Sequence, residues 1–352
     1  MKFFFLAISL LSFSCSKNQD ATPFRTYRMG FQNSAPRFDS FNLFIQSLNI
    51  WSTRADAAII SSEVPWKVLL AGETAETYVA DNFKGLTAYY RSKNFVLWVY
   101  VDPQNGLDRT SDATELAAVG KSIAQADIQK IYRRYVVVLD SILKPEHIGL
   151  ALETNLIKVA SSPQIYNGVK QAANDAAKDL KLNNSLAKLS ISVQVEQAWG
   201  KLTGSPYTGI AQDLADFPFV EELGLSSYPY LVFNVPADIP PDYYSRLVDG
   251  KTIPVFVAEG GWSSHSVTTP SRSFVSSNLV QQDYIKRQEQ LLNSVQATAL
   301  FQLAFTDIDV SSLPSTVPSN IGYFAWLGLV DVNLQPKPSL NAWDVLFKKP
   351  FK

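Results

Sequence analysis

The chain has 352 residues, 46% of them hydrophobic and 18% charged, with a formal net charge of -1. That balance argues against nucleic acid or an acidic membrane surface as a partner, and it supplies ample apolar material for one large core. The two histidines, His147 and His265, lie far apart without metal-ligand spacing, so no metal site and no cofactor are expected.

Lys2 opens an apolar run over residues 3–13, of signal-peptide length and too short to span a bilayer. It ends at Leu11-Ser12-Phe13-Ser14-Cys15, and Cys15 is the only cysteine. This ending resembles a bacterial lipoprotein cleavage site, where the thiol takes a diacylglycerol and the cysteine becomes the new N-terminus. Ser12 stands where leucine is usual, and the alternative is an ordinary secretory peptide with an incidental cysteine. In either case the protein is exported, and it has no disulfide framework. Residues 1–14 are read as the signal, 15–23 as a polar tether and 24–352 as one domain.

Beyond the tether, apolar strand-like runs alternate with helical stretches. A first strand over 27–31 leads to a helix over 38–51, followed by strands over 57–60 and 95–101, the latter ending at Asp102-Pro103. Helical spacing over 111–143, with Asp112 as the N-cap, precedes a fourth strand over 148–152 and a helix over 163–182. A fifth strand covers 189–195, a sixth 224–227 leading into Tyr228-Pro229, and a seventh 253–258. A helix over 279–295, an eighth strand over 299–304 and a short helix over 340–347 complete the chain. Eight strands with helical or irregular connections are the count for a (β/α)8 barrel. The rival, an open doubly wound sheet, lacks the Gly-rich phosphate fingerprint of its nucleotide-binding version. The irregular segments 263–277 and 310–320 follow strands seven and eight, which on a barrel puts them at the catalytic end.

Two strands run into a glutamate. Ile148-Gly149-Leu150-Ala151-Leu152 leads to Glu153, and Ile253-Pro254-Val255-Phe256-Val257-Ala258 leads to Glu259-Gly260-Gly261-Trp262. The two lie 106 residues apart, about 35 per unit across three βα units. Their side chains would therefore converge across the mouth of a barrel. Two carboxyl groups facing each other are what glycoside hydrolysis needs, one to protonate the leaving oxygen and one to attack. Glu153 is the expected acid/base and Glu259 the expected nucleophile. No Gly-x-Ser-x-Gly elbow points to serine hydrolase chemistry instead.

At these residues the chain resembles the clan A glycoside hydrolases, and within them most resembles the arabinogalactan endo-β-1,4-galactanase family. The likeness rests on Glu153-Thr154-Asn155, Asp102-Pro103, Tyr228-Pro229, Glu259-Gly260-Gly261-Trp262, and a closing segment of Gly328-Leu329-Val330-Asp331 and Pro336-Lys337-Pro338-Ser339-Leu340-Asn341-Ala342-Trp343. It implies a retaining glycosidase acting on a β-linked polysaccharide or oligosaccharide. The chain departs from the family at Leu152, where an asparagine normally holds the sugar 2-hydroxyl. That departure keeps a second class open, a glycan-binding surface lipoprotein without turnover.

Asp102, Asn155, Glu196, Tyr228, Trp262 and Trp326 are the candidate substrate contacts. Each has a structural alternative: Asp102 capping a turn, Glu196 forming an ion pair, Tyr228 packing its ring, and the tryptophans packing loops. The protein is expected to act as a monomer, with a glycan as its partner.

Overall fold

The computed structural model describes residues 24–352 apart from Ser271 and Thr316. The expected signal segment, Cys15 and the tether lie outside the described residues. Among the described residues there are ten strands: β1 (Arg28–Phe31), β2 (Ala57–Glu63), β3 (Val96–Asp102), β4 (His147–Gly149), β5 (Lys188–Gln194), β6 (Glu222–Ser227), β7 (Val255–Gly260), β8 (Val267–Thr269), β9 (Arg272–Phe274) and β10 (Ala299–Gln302). Eight of them form one sheet in the order β1-β10-β7-β6-β5-β4-β3-β2, and every adjacent pair is parallel. A parallel bridge between Gln32 and Ile59 joins the two edges and closes the ring. The architecture is the expected (β/α)8 barrel.

The outer helices Phe41–Trp51, Ala75–Ser92, Pro163–Leu182 and Asn278–Val295 start where a hydroxyl can take an orphan amide. Ser40, Thr74, Ser162 and Ser277 accept hydrogen bonds from the N–H groups of Leu43, Thr77, Ile165 and Val280, each cap contributing about 1 kcal/mol. The strands alternate. Leu97, Val99 and Val101 of β3 join the large core under the helices, while Trp98 and Tyr100 point inward with Ala57, Ile59, Phe256 and Phe301. Tyr100 fills the barrel axis because its neighbours have no side chains. A Cβ on Gly149 would stand 2.4 Å from the Tyr100 ring, and one on Gly224 would stand 2.3 Å from its hydroxyl. Below it, Trp98 stacks on His147 at 3.7 Å, and His147 Nδ1 lies 2.7 Å from Glu222 Oε1. The barrel is a packed interior with an open upper end.

The strands differ from expectation mainly at their ends. β7 begins at Val255 and runs on through Glu259 to Gly260, because Pro254 has no N–H and serves only as acceptor for Leu223. The expected helix over 111–143 is broken into Thr114–Ala117 and Ala126–Leu143, with Gly120 at φ 66° between them. Asp112 does not cap it; its Oδ1 accepts from the Ile123 N–H at 2.8 Å and pins the intervening loop. Part of the segment over 263–277, expected to be irregular, is the β8–β9 hairpin.

Candidate active site

The upper end of the barrel holds a cavity of about 890 Å³, lined among others by Gln32, Glu63, Asp102, Arg109, Leu152, Glu153, Gln194, Tyr228, Glu259 and Phe324. Both expected carboxylates are on its wall.

A β-bulge aims Glu259. β6 and β7 keep register through Leu225 and Val257, but Ser226 then pairs with Glu259 rather than with Ala258. In strict alternation Glu259 would follow the inward Ala258 and point outward. The extra residue turns its side chain to the cavity instead. There Gln32 Nε2 donates to Glu259 Oε2 at 3.3 Å, and the Ser226 hydroxyl is a further hydrogen-bond partner. Burial raises the pKa of Glu259, opposed by the Arg109 charge and by these two partners.

Glu153 is aimed by a left-handed backbone. It sits at φ 51°, ψ 46°, immediately before the helix Thr154–Ala160, a conformation that costs a non-glycine residue about 1 kcal/mol or more. Its N–H donates to Ser192 Oγ on β5 at 2.9 Å, and its carbonyl accepts from the N–H groups of Leu156 and Ile157. The sharp turn swings the side chain back over the barrel mouth. Burial pushes its carboxyl up to about 7, the Arg109 charge pulling it down and the Glu259 charge adding to the rise. The mutual influence of the two glutamates is that of neighbours in one site. Burial raises both carboxyls, and each has its own donors, Gln32 and Ser226 at Glu259 and the Arg109 guanidinium at Glu153.

A buried chain of charges supports Glu153. Arg109, from the loop after β3, donates from Nε to Glu153 Oε2 at 3.0 Å and from Nη1 to Asp102 Oδ2 at 2.6 Å. Asp102 Oδ1 accepts from the Gln104 N–H. Burial disfavours the Arg109 charge, but Asp102, Glu153 and Glu259 more than compensate and hold it protonated. Tyr228 completes this side. Burial and the Glu259 and Glu153 charges push its hydroxyl far above the usual phenol range, and its ring meets Phe324 edge-on at 5.0 Å.

Four expected substrate contacts are not on the cavity wall. Glu196 lies in the short helix Val195–Ala198, because β5 ends at Gln194, whose side chain caps that turn. Its fully buried carboxylate accepts from Tyr228 N–H at 3.1 Å, Tyr243 hydroxyl at 2.7 Å and Gln194 Nε2 at 2.5 Å. With those donors it braces the end of β6; burial raises it to about 7. The side chain of Asn155 is committed to the backbone of Gln194, donating to its carbonyl at 2.9 Å and accepting from its N–H at 2.8 Å. Trp262 is completely buried against Tyr230 and Tyr284, with Nε1 donating to Ser276. Trp326 packs against His265, the ring centroids 4.2 Å apart and the planes tilted by 31°, away from the wall. Of the six, Asp102 and Tyr228 reach the cavity.

Arg109, Gln32, Glu63, Gln194 and Phe324 are wall residues that the sequence did not single out. Glu63 ends β2 as Asp102 ends β3, and the two are register partners, but Ser61 and Ser62 separate it from the apolar run that would have marked it. Arg109 had no signal, since its role depends on contacts made across the fold.

No family model matches the sequence, and no curated protein matches it. Solved structures do. The chain is similar to a GH5_18 protein of Bifidobacterium longum subsp. longum in complex with Manb1-4GlcNAc, with a TM-score of 0.61 and 14% identity over 93% of this chain and 80% of that one. It is similar to an exo-β-1,4-mannosidase of an Opitutaceae bacterium, with a TM-score of 0.66 and 14% identity over 93% of this chain and 60% of that one. It also matches a β-glucosidase of Thermotoga maritima in complex with glucoimidazole, with a TM-score of 0.61 and 12% identity over 88% and 87%. The shared feature is the barrel. These neighbours are glycosidases, and the likeness at such identity is one of fold.

Proposed function

We propose that this protein is a retaining glycoside hydrolase acting on a β-linked glycan, with Glu153 as acid/base and Glu259 as nucleophile. The observation that carries the proposal is that two buried carboxyl groups, from β7 and from the end of the β4 unit, line one cavity and act on each other's charge. The wall carries Glu63, Asp102, Asp108, Glu153 and Glu259 against the guanidinium of Arg109, so a neutral glycan suits it better than a uronate or sulfated one. The stretch from Glu259 to Trp262 makes β-1,4-galactan the first substrate to try, with β-mannan and β-glucan beside it. Release of reducing ends from that panel by the purified protein, acting as a monomer, tests the proposal. Silence on every glycan would sink it.

A second class has its own support. Leu152 offers no hydrogen bond to a sugar, and Arg109 already engages Glu153. A glycan-binding protein without turnover would bind panel members and release nothing.

We also propose export and lipid anchoring through Cys15. Two or three acyl chains, at about 0.8 kcal/mol per buried CH₂, would anchor the chain stably. Cys15→Ala should release a folded protein from the membrane fraction. A variant that stays membrane-bound, or a mature wild type without acyl mass, contradicts the anchor.

A further inference from the structure

We propose that Arg109 is the positioning residue of Glu153: anchored on β3 through Asp102, it holds the acid carboxylate over the cavity and keeps it able to exchange its proton. The inference rests on the proposed hydrolase function. The geometry is a fork with two occupied tines, Nε to Glu153 and Nη1 to Asp102 at 3.0 and 2.6 Å, with all three side chains at least nine-tenths buried. A planar guanidinium can bridge two carboxylates in fixed directions, which a lysine ammonium cannot.

The chemistry gives the bridge a purpose. In a retaining cycle Glu153 first gives its proton to the leaving oxygen as the Glu259 oxygen bonds to the anomeric carbon. It then takes a proton from the water that displaces Glu259. A group that serves both steps needs a pKa near the working pH. Burial and the charges of Glu259 and Asp102 all push Glu153 upward, and Arg109 is the cation that opposes them. Without it, the carboxyl would stay protonated and serve as acid but not as base. The titratable and charged groups facing Glu153 are Arg109 and Asp102 from β3 and its loop, Glu259 from β7 and Tyr228 beyond β6.

The test titrates the Glu153 carboxyl by carbon NMR in the full chain, alongside pH profiles of kcat and kcat/KM. Arg109→Met should raise the Glu153 midpoint by about 1 to 3 pH units, the usual effect of losing a neighbouring opposite charge. The basic limb of kcat/KM should move up with it, while kcat at neutral pH falls and KM falls with it, since slower hydrolysis of the glycosyl-enzyme lowers both. With an activated aryl glycoside, hydrolysis of the glycosyl-enzyme should become rate-limiting and a burst should appear. Arg109→Lys, which keeps the charge, should bring the midpoint back toward wild type. If Arg109→Met fails to fold, Arg109→Gln, which keeps a donor in the polar site, takes its place with the same expected rise. An unmoved midpoint in a folded neutral variant overturns the proposal, as does a midpoint that rises without the basic limb. If wild type hydrolyses nothing, the hydrolase function fails, and the NMR titration still decides whether Arg109 governs Glu153.

Discussion

Glu259→Gln is expected to lower kcat by at least about 1,000-fold, or ~4 kcal/mol of transition-state stabilisation, with KM little changed. The amide keeps the shape of the side chain and most of its hydrogen bonding to Gln32 and Ser226. What it loses is the attacking oxygen, so the deficit belongs to the chemical step. Steady-state kinetics on any hydrolysed glycan reads this directly. A comparable loss carried in KM would instead make Glu259 a binding residue.

Glu153→Gln should have an effect that depends on the leaving group. Proton donation contributes roughly 10²- to 10⁴-fold, and glycans with poor leaving groups need all of it. Activated aryl glycosides hardly need it, so glycosyl-enzyme formation from them should be nearly unimpaired. The pH profile follows from the same assignment. The acid must hold its proton and the nucleophile must not. Activity should therefore fall as pH rises through about 7, where Glu153 ionises, and fall at low pH as Glu259 is protonated. The basic limb should vanish in Glu153→Gln. Equal losses on both substrate types, or a surviving basic limb, would argue against the acid role.

The barrel was legible because each strand is a short apolar run with its own turn signals, and Glu153 and Glu259 were legible as the polar residues where two such runs stop. What escaped was local geometry that depends on partners. The bulge opposite Ser226 turns Glu259 inward, and nothing in the run Val255-Phe256-Val257-Ala258 announces it. Glu196 follows an apolar strand just as Glu153 does, yet the Gln194 cap folds it under the floor of the site, where Tyr228 and Tyr243 saturate it. Trp262, just past the end of β7, packs into the helix layer rather than facing sugar. Arg109 lies 44 residues from the carboxylate it holds, in a loop whose sequence carries no periodicity.

The central claim is that Glu153 and Glu259 together hydrolyse a β-linked glycan with retention. Proton NMR of the first sugar formed, recorded before mutarotation on whichever panel glycan is cut, tests it most directly. Wild type is expected to release the β-anomer first, and Glu259→Gln to give no product signal on the same timescale. An α-anomer formed first, or equal product from the variant, would contradict it.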